Sequence, residues 1–335
     1  MPQTTFLTGS DRTHALEKAA GMLLSADNIL ILTHKSPDGD TLGSGFALYR
    51  ALFKLGKRVR VICADPFPKK YGYLFDGVET GEIKPEFIVA TDIATVALMG
   101  ESLSQYSDKV NLCIDHHPSN DGYAQFTFVD PSAAAACEIM AEIIPLLNVE
   151  IDNNIANCLY TGLATDTGCF RFSNTTPRTL RCAAMLIENG ADSVRLNKLL
   201  FETNSRGRLE IERLALETLE YHFGGRAAII TLTKAMNEKA GVTDSETEGI
   251  ASIPARIEGV EAGITIKEKA EGVCKISLRT GVSLNASNIC AKLGGGGHAA
   301  AAGCSVIGSL EEVKRTILNA VQGEMEKQGT KGEDQ

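Results

Sequence analysis

The chain has 335 residues, 44% of them hydrophobic, enough to bury a core in each of two domains. Its formal net charge of −9 argues against gripping long nucleic acid by counterion release, which needs a basic surface, but a small anionic substrate can be held through divalent cations. Nine cysteines with no C-x-x-C pair suggest neither a disulfide framework nor a cysteine zinc site.

The opening MPQTTFLTGSDRTHALEKAA has no apolar core of the signal-peptide kind, and no uninterrupted stretch approaches the ~18 apolar residues of a membrane span. A cytoplasmic protein with no membrane partner is expected. Short apolar runs then alternate with helical patterns, the signature of an α/β domain with a mostly parallel sheet and helices on both faces. NILILTH (28–34) reads as a strand, TLGSGFALYRALFKLG (41–56) as a helix stopped by Gly56, and RVRVICAD (58–65) as the next strand. PEFIVATD (85–92), KVNLCIDHH (109–117) and FTFVD (126–130) continue the series. Helices follow at 132–147 and 152–164, and another is marked by Thr176 as N-cap, Pro177 in the first turn and Gly190 as stop.

These elements form a first domain over 1–204. The charged amphipathic NSRGRLEIERLALETLEY and the Gly224-Gly225 pair after it read as a linker helix and hinge over 205–224. A smaller α+β domain is expected over 225–326: strands in RAAIITLT (226–233), EAGITIKE (261–268) and VCKISLRT (273–280), a glycine-rich run, and a helix over 309–325. A polar tail closes the chain over 327–335.

In open α/β sheets the ligand crevice lies beyond the carboxyl ends of the strands, and there this sequence puts its acids and histidines. The first strand runs into THKSPDGDTLGS, whose Pro/Gly-bent turn lets His34, Asp38 and Asp40 converge. Asp92 ends another strand, and Asp115, His116 and His117 end the next; Asp166 closes a helix. Each has a plain explanation alone: Asp-Gly makes turns, a strand-end Asp is solvated, and paired histidines sit on surfaces. Turn chemistry accounts for Asp38, however, and not for His34, Asp92 and His116 as well. Imidazole and carboxylate without thiolate favour Mn²⁺ or Mg²⁺. Five or six ligands exceed the need of one tetrahedral ion, which suggests two ions ~3.5–4 Å apart sharing a carboxylate, as in two-metal phosphoryl transfer.

At this point the motifs resemble a known family. THKSPDGDTLGS, TDIA, CIDHHPSN and TGLATDTGCFRFSNTTPRTL, followed by KISLRT and LGGGGHAAAAG, are similar to the DHH phosphoesterase superfamily, named for the triplet seen here as Asp115-His116-His117. More narrowly the chain resembles bacterial oligoribonucleases that also act on 3'-phosphoadenosine-5'-phosphate (pAp), relatives of RecJ. The resemblance implies two divalent cations per subunit, Mn²⁺ preferred, with Mg²⁺ or Co²⁺ as alternatives. It assigns His34, Asp38 and Asp92 to one, and Asp40, Asp92, His116 and Asp166 to the other, with Asp92 as bridge. Asp115 would orient the histidines and His117 would face the scissile phosphate. In the second domain it points to Arg279, Gly294, Gly295, Gly296, Gly297 and His298 as substrate contacts. Short RNA and pAp are the implied substrates, with a homodimer left open. One departure is Ala134, Ala135 and Ala136 after VDPS, where the family usually carries hydroxyls; their loss would weaken hydrogen bonding around a bound phosphate.

The rivals are a phosphodiesterase for linear or cyclic dinucleotides such as pApA or cyclic di-AMP, and an inorganic pyrophosphatase or polyphosphatase. The latter would be expected to line its cleft with more Lys and Arg. A non-catalytic nucleotide sensor should have lost a ligand, and none is missing.

Overall fold

A computed structural model describes residues 10–79, 81–247, 249–270 and 272–329. The opening nine residues and 330–335 of the expected tail lie outside that range. The chain divides into two compact units between Thr203 and Asn204.

The first unit runs α1 (Ser10–Ser25), β1 (Ile29–Leu32), α2 (Gly39–Lys54), β2 (Val59–Ile62), β3 (Phe87–Thr91), β4 (Leu112–Asp115), β5 (Phe126–Val129), α3 (Ala136–Leu146), α4 (Asn153–Asp166), α5 (Pro177–Glu188) and α6 (Ser193–Asn197). Its five strands are all parallel, in the order β2-β1-β3-β4-β5. The ILIL of β1 is buried throughout, as a central parallel strand demands, whereas edge strand β2 alternates buried and half-buried residues. Ile29, Ile31, Val89, Leu112 and Ile114 meet Leu16, Leu42, Phe46, Ile139 and Leu159 on the helical face. Each fully buried Leu or Ile there contributes about 1.5–3 kcal/mol. On the other face Leu30, Leu32, Ile88 and Cys113 pack with Met99 and Leu103, carried by 3₁₀ helices at Val96–Met99 and Glu101–Tyr106.

Two local features set the site. Asp38 caps α2, its carboxylate accepting from the Asp40 and Thr41 amides at 3.0 and 3.2 Å, so the helix starts two residues before the expected Thr41. Helices α2 and α4 then approach too closely for side chains at the contact. A Cβ on Gly43 would stand 2.5 Å from the Cys158 carbonyl oxygen, and one on Gly162 would stand 2.5 Å from Asp40 Oδ1. That proximity draws the two acids Asp40 and Asp166 together.

The second unit comprises α7 (Arg206–Glu217), β6 (Glu220–His222), β7 (Ala227–Leu232), α8 (Lys234–Ala240), β8 (Ala262–Ala270), β9 (Val273–Thr280), α9 (Ala286–Ala291), β10 (Gly296–His298), β11 (Ala301–Ile307) and α10 (Leu310–Gly329). Its mixed sheet has the order β10-β11-β9-β8-β7-β6, with only β7 and β8 paired in parallel among the described residues. The helix read as a linker is packed into this unit: Ile211 and Ala215 of α7 join Ile230, Leu232 and Ile250 in one apolar cluster. The glycine-rich run is an antiparallel hairpin, β10 against β11. Helix α10 buries Val313, Ile317, Val321 and Met325, four residues apart, and includes Lys327, which the sequence had assigned to the tail. Among the described residues, no helix is long and apolar enough to cross a membrane.

Candidate metal centre

Each polar group at the carboxyl edge of the first sheet is aimed by its backbone. His34 lies two residues beyond β1, and its Nδ1 stands 2.8 Å from the Lys35 carbonyl oxygen. A carbonyl only accepts, so Nδ1 carries a proton and Nε2 is the nitrogen turned toward the acids. That Nε2 stands 3.5 Å from Asp38 Oδ1 and 3.6 Å from Asp92 Oδ2. Asp92 follows β3 directly in a left-handed conformation, φ 59°, which a non-glycine residue adopts at a cost; the turn brings its carboxylate, 3% exposed, inward.

His116 follows β4. Its Nδ1 is 3.3 Å from the Ala133 carbonyl oxygen, so the same argument turns Nε2 toward the acids, where it stands 3.5 Å from Asp92 Oδ1 and 3.3 Å from Asp166 Oδ2. Asp40 is fully buried and accepts from the Ala136 and Cys137 amides at 2.6 and 2.9 Å, at the N-terminus of α3 where unpaired amides and the helix dipole favour an anion. Asp115 accepts from the His116 amide at 2.8 Å, the His117 amide at 3.2 Å and His117 Nδ1 at 2.8 Å, all on Oδ1. This fixes the proton on Nδ1 of His117 and leaves Nε2 as its free nitrogen.

All eight residues read from the sequence therefore meet at one sheet edge. Three triplets have ligand atoms within 4.8 Å of one another: His34, Asp38 and Asp92; Asp92, His116 and His117; Asp40, His116 and Asp166. Their electrostatics demand positive charge. Burial, then the Asp40 and Asp38 charges, raise Asp92 well above the carboxylate range. Burial and Asp166 push Asp40 up to about 7. Burial opposes protonation of His116, but Asp166 and Asp40 outweigh it and lift the imidazole to about 9. Asp92 Oδ1 and His116 Nε2 are buried without a hydrogen-bond partner among the described residues. Unpartnered polar atoms amid crowded carboxylates suit divalent cations, which displace the protons held there, and the oxygen and imidazole donor set fits Mn²⁺ or Mg²⁺.

Sequence reasoning missed several supporting groups. Asn120, 5% exposed, donates to Asp115 Oδ2 at 2.6 Å, and Asn174 donates to the carbonyls of Asp166 and Ala134, both at 3.1 Å. Asn120 had a trace in DHHPSN; the amides that hold Asp40 had none. Ala134, Ala135 and Ala136 are 1%, 0% and 0% exposed, as buried as Asp40, to which the Ala136 amide donates.

In the second unit, Arg279 pairs with Ala301, which pairs with His298, so these two lie in one row across β9, β11 and β10. His298 is exposed and Arg279 half-buried. The glycines serve the hairpin first: Gly294 has φ 74°, and a Cβ on Gly295 or Gly297 would stand 2.2 or 2.6 Å from the carbonyl oxygens of Gly303 and Ala301. Gly296 has open space on its Cβ side.

Two family profiles cover most of the chain: the DHH family, N-terminal domain, over residues 28–163, and the DHHA1 domain over residues 203–327. The chain belongs to the DHH family. It is 36% identical over 310 residues to the bifunctional oligoribonuclease and PAP phosphatase NrnA of Thermus thermophilus, spanning 90% of this chain and 91% of that one. It is 27% identical over 300 residues to the Bacillus subtilis protein of the same name, spanning 88% and 93%. Among solved structures, an exopolyphosphatase-related protein from Bacteroides fragilis superposes with a TM-score of 0.83 at 25% identity, covering 96% of this chain and all of that one.

Proposed function

We propose that this chain is a two-metal phosphoesterase that degrades oligoribonucleotides of about two to five units to mononucleotides and converts pAp to AMP. The observation that carries the metal site is Asp92, whose Oδ2 faces His34 and whose Oδ1 faces His116, as a bridging carboxylate would. Similarity to the Thermus and Bacillus proteins over about nine-tenths of the chain supports the substrates.

In this reading His34, Asp38 and Asp92 would hold one cation, and Asp40, Asp92, His116 and Asp166 the other, with Mn²⁺ preferred. Such ions supply a nucleophilic water at neutral pH and neutralise charge on the non-bridging phosphate oxygens. The chain's own part is positional. The α3 amides hold Asp40, and the Lys35 and Ala133 carbonyls fix Nδ1–H of His34 and His116, so that Nε2 is the nitrogen each ring would offer to a cation once its proton is displaced. Asp115 holds Nδ1–H of His117, and in its imidazolium form that ring would give its Nε2 proton to the departing oxygen and return to the neutral imidazole. Arg279, the open backbone at Gly296 and His298 bind the nucleotide or terminal phosphate.

The test uses metal-stripped protein reloaded with Mn²⁺ and offered, in parallel, pAp, pGpG, cyclic di-AMP, pyrophosphate, a 5-mer and a 24-mer RNA. Turnover of pAp and the 5-mer, with little on the 24-mer, is expected. Turnover of pyrophosphate alone would refute the nucleotide reading, and preference for cyclic di-AMP would favour the dinucleotide rival.

A further inference from the structure

Beyond Asp166 the chain makes an unusual turn. Helix α4 ends at that acid, and Gly168, Cys169 and Phe170 then take left-handed conformations in succession, φ 56°, 59° and 61°. The turn is closed on itself: the amides of Arg171 and Phe172 both donate to the Thr167 carbonyl, at 2.9 and 3.0 Å. Arg171 Nε donates to the Gly168 carbonyl at 2.6 Å, and Asn174 ties the segment to the Asp166 carbonyl at 3.1 Å. Two non-glycine residues in this region cost free energy that a merely connecting loop would not need to spend.

The strain separates two aromatic rings. Phe170 packs onto the core beside Tyr160, ring centroids 6.0 Å apart. Phe172 joins no apolar cluster among the described residues and is left 57% exposed. Its ring lies over Gly168, where a Cβ would come within 2.4 Å of it, so glycine is required there for the ring to sit down on the backbone. Phe53, 47% exposed, instead lends a face to Tyr49, centroids 5.7 Å apart and 12° from parallel. Phe172 is thus an exposed aromatic surface on a hydrogen-bonded turn, six residues along the chain from a proposed metal ligand, Asp166. A rigid ring loses little freedom when a flat partner stacks on it.

We propose that Phe172 is a stacking platform for the nucleobase of the nucleotide whose phosphate occupies the metal centre, an inference that rests on the nucleotide reading above. Base stacking on an aromatic side chain tolerates any base, since every base has a π face. The platform therefore binds substrate without selecting its sequence. It acts on affinity rather than on the bond-breaking step.

The chain contains no tryptophan, so Phe172→Trp places one tryptophan at the platform, which can be excited selectively over the seven tyrosines. Titration with AMP is expected to quench it saturably, while ribose 5-phosphate, which has the phosphate but no base, leaves it unchanged. Equal responses to both, or none to AMP, overturn the platform. In parallel, Phe172→Ala should raise KM for pAp and pApA about 5- to 150-fold, the range of one stacked base, with kcat within about twofold. Phe172→Tyr should restore KM; an unchanged KM in Phe172→Ala overturns the proposal. If the unsubstituted enzyme hydrolyses neither nucleotide, the functional reading fails, and the AMP titration still decides the platform.

Discussion

The first unit gathers its polar candidates around three buried acids, whereas the second leaves its own on an accessible strand row. Asp40, Asp92 and Asp115 are 0%, 3% and 0% exposed and touch one another's partners, while His298 is exposed and shares a sheet row with Arg279. Burial raises the strength of every electrostatic interaction and couples each group to its neighbours. The lesson is one of division: the first unit is built so that single changes propagate, the second so that contacts can be exchanged one at a time.

The comparison breaks if substitutions in the first unit prove mild. His117→Ala should lower kcat on pAp by about 10²- to 10⁴-fold, the usual contribution of a positioned acid or base, with the bound metal content unchanged. Asn120→Ala, which frees Asp115 Oδ2, should lower kcat by about 10- to 100-fold with KM nearly constant, as loss of an orienting partner does. A kcat within twofold of the parent would remove Asn120 from the machinery.

Acidity sharpens the same contrast. In the metal-free protein Asp40, raised to about 7, carries a proton below that pH, and an entering cation must displace it. Metal affinity should therefore fall about tenfold per pH unit for each proton displaced, below about 9 for the His116 proton and below about 7 for the Asp40 proton. Calorimetry in buffers of different ionisation enthalpy would show proton release at pH 6; absence of buffer dependence would contradict the crowded site. The smallest effect belongs to the second unit. Arg279→Ala, removing a half-exposed contact worth a net ~1 kcal/mol, should raise KM for pAp about fivefold and leave both metal content and kcat in place.

The strand ends were legible in sequence because an apolar run that stops at an acid marks both a buried parallel strand and the edge where ligands gather. The His34–Asp40 turn was legible through Pro37 and Gly39. Other features left weaker traces. The α3 amides that hold Asp40 are backbone donors, identical for any residue, and the run Ala134 to Ala136 directed the reading to missing side chains rather than to the amides. The hairpin of β10 and β11 escaped because glycine carries no hydrophobic period, and its role emerges only from the close approach of the paired backbones. The left-handed Asp92 looked like an ordinary strand end, since nothing in residue type distinguishes the two.

The shared carboxylate of Asp92 is the centre of this account, and counting metal tests it most directly. After chelation and reloading with Mn²⁺, elemental analysis should find two ions per chain, and in Asp92→Asn fewer than one, with the melting temperature of the metal-free variant no lower than that of the parent because a crowded buried charge has been removed. One ion in the parent, or two retained in Asp92→Asn with full activity, would contradict it.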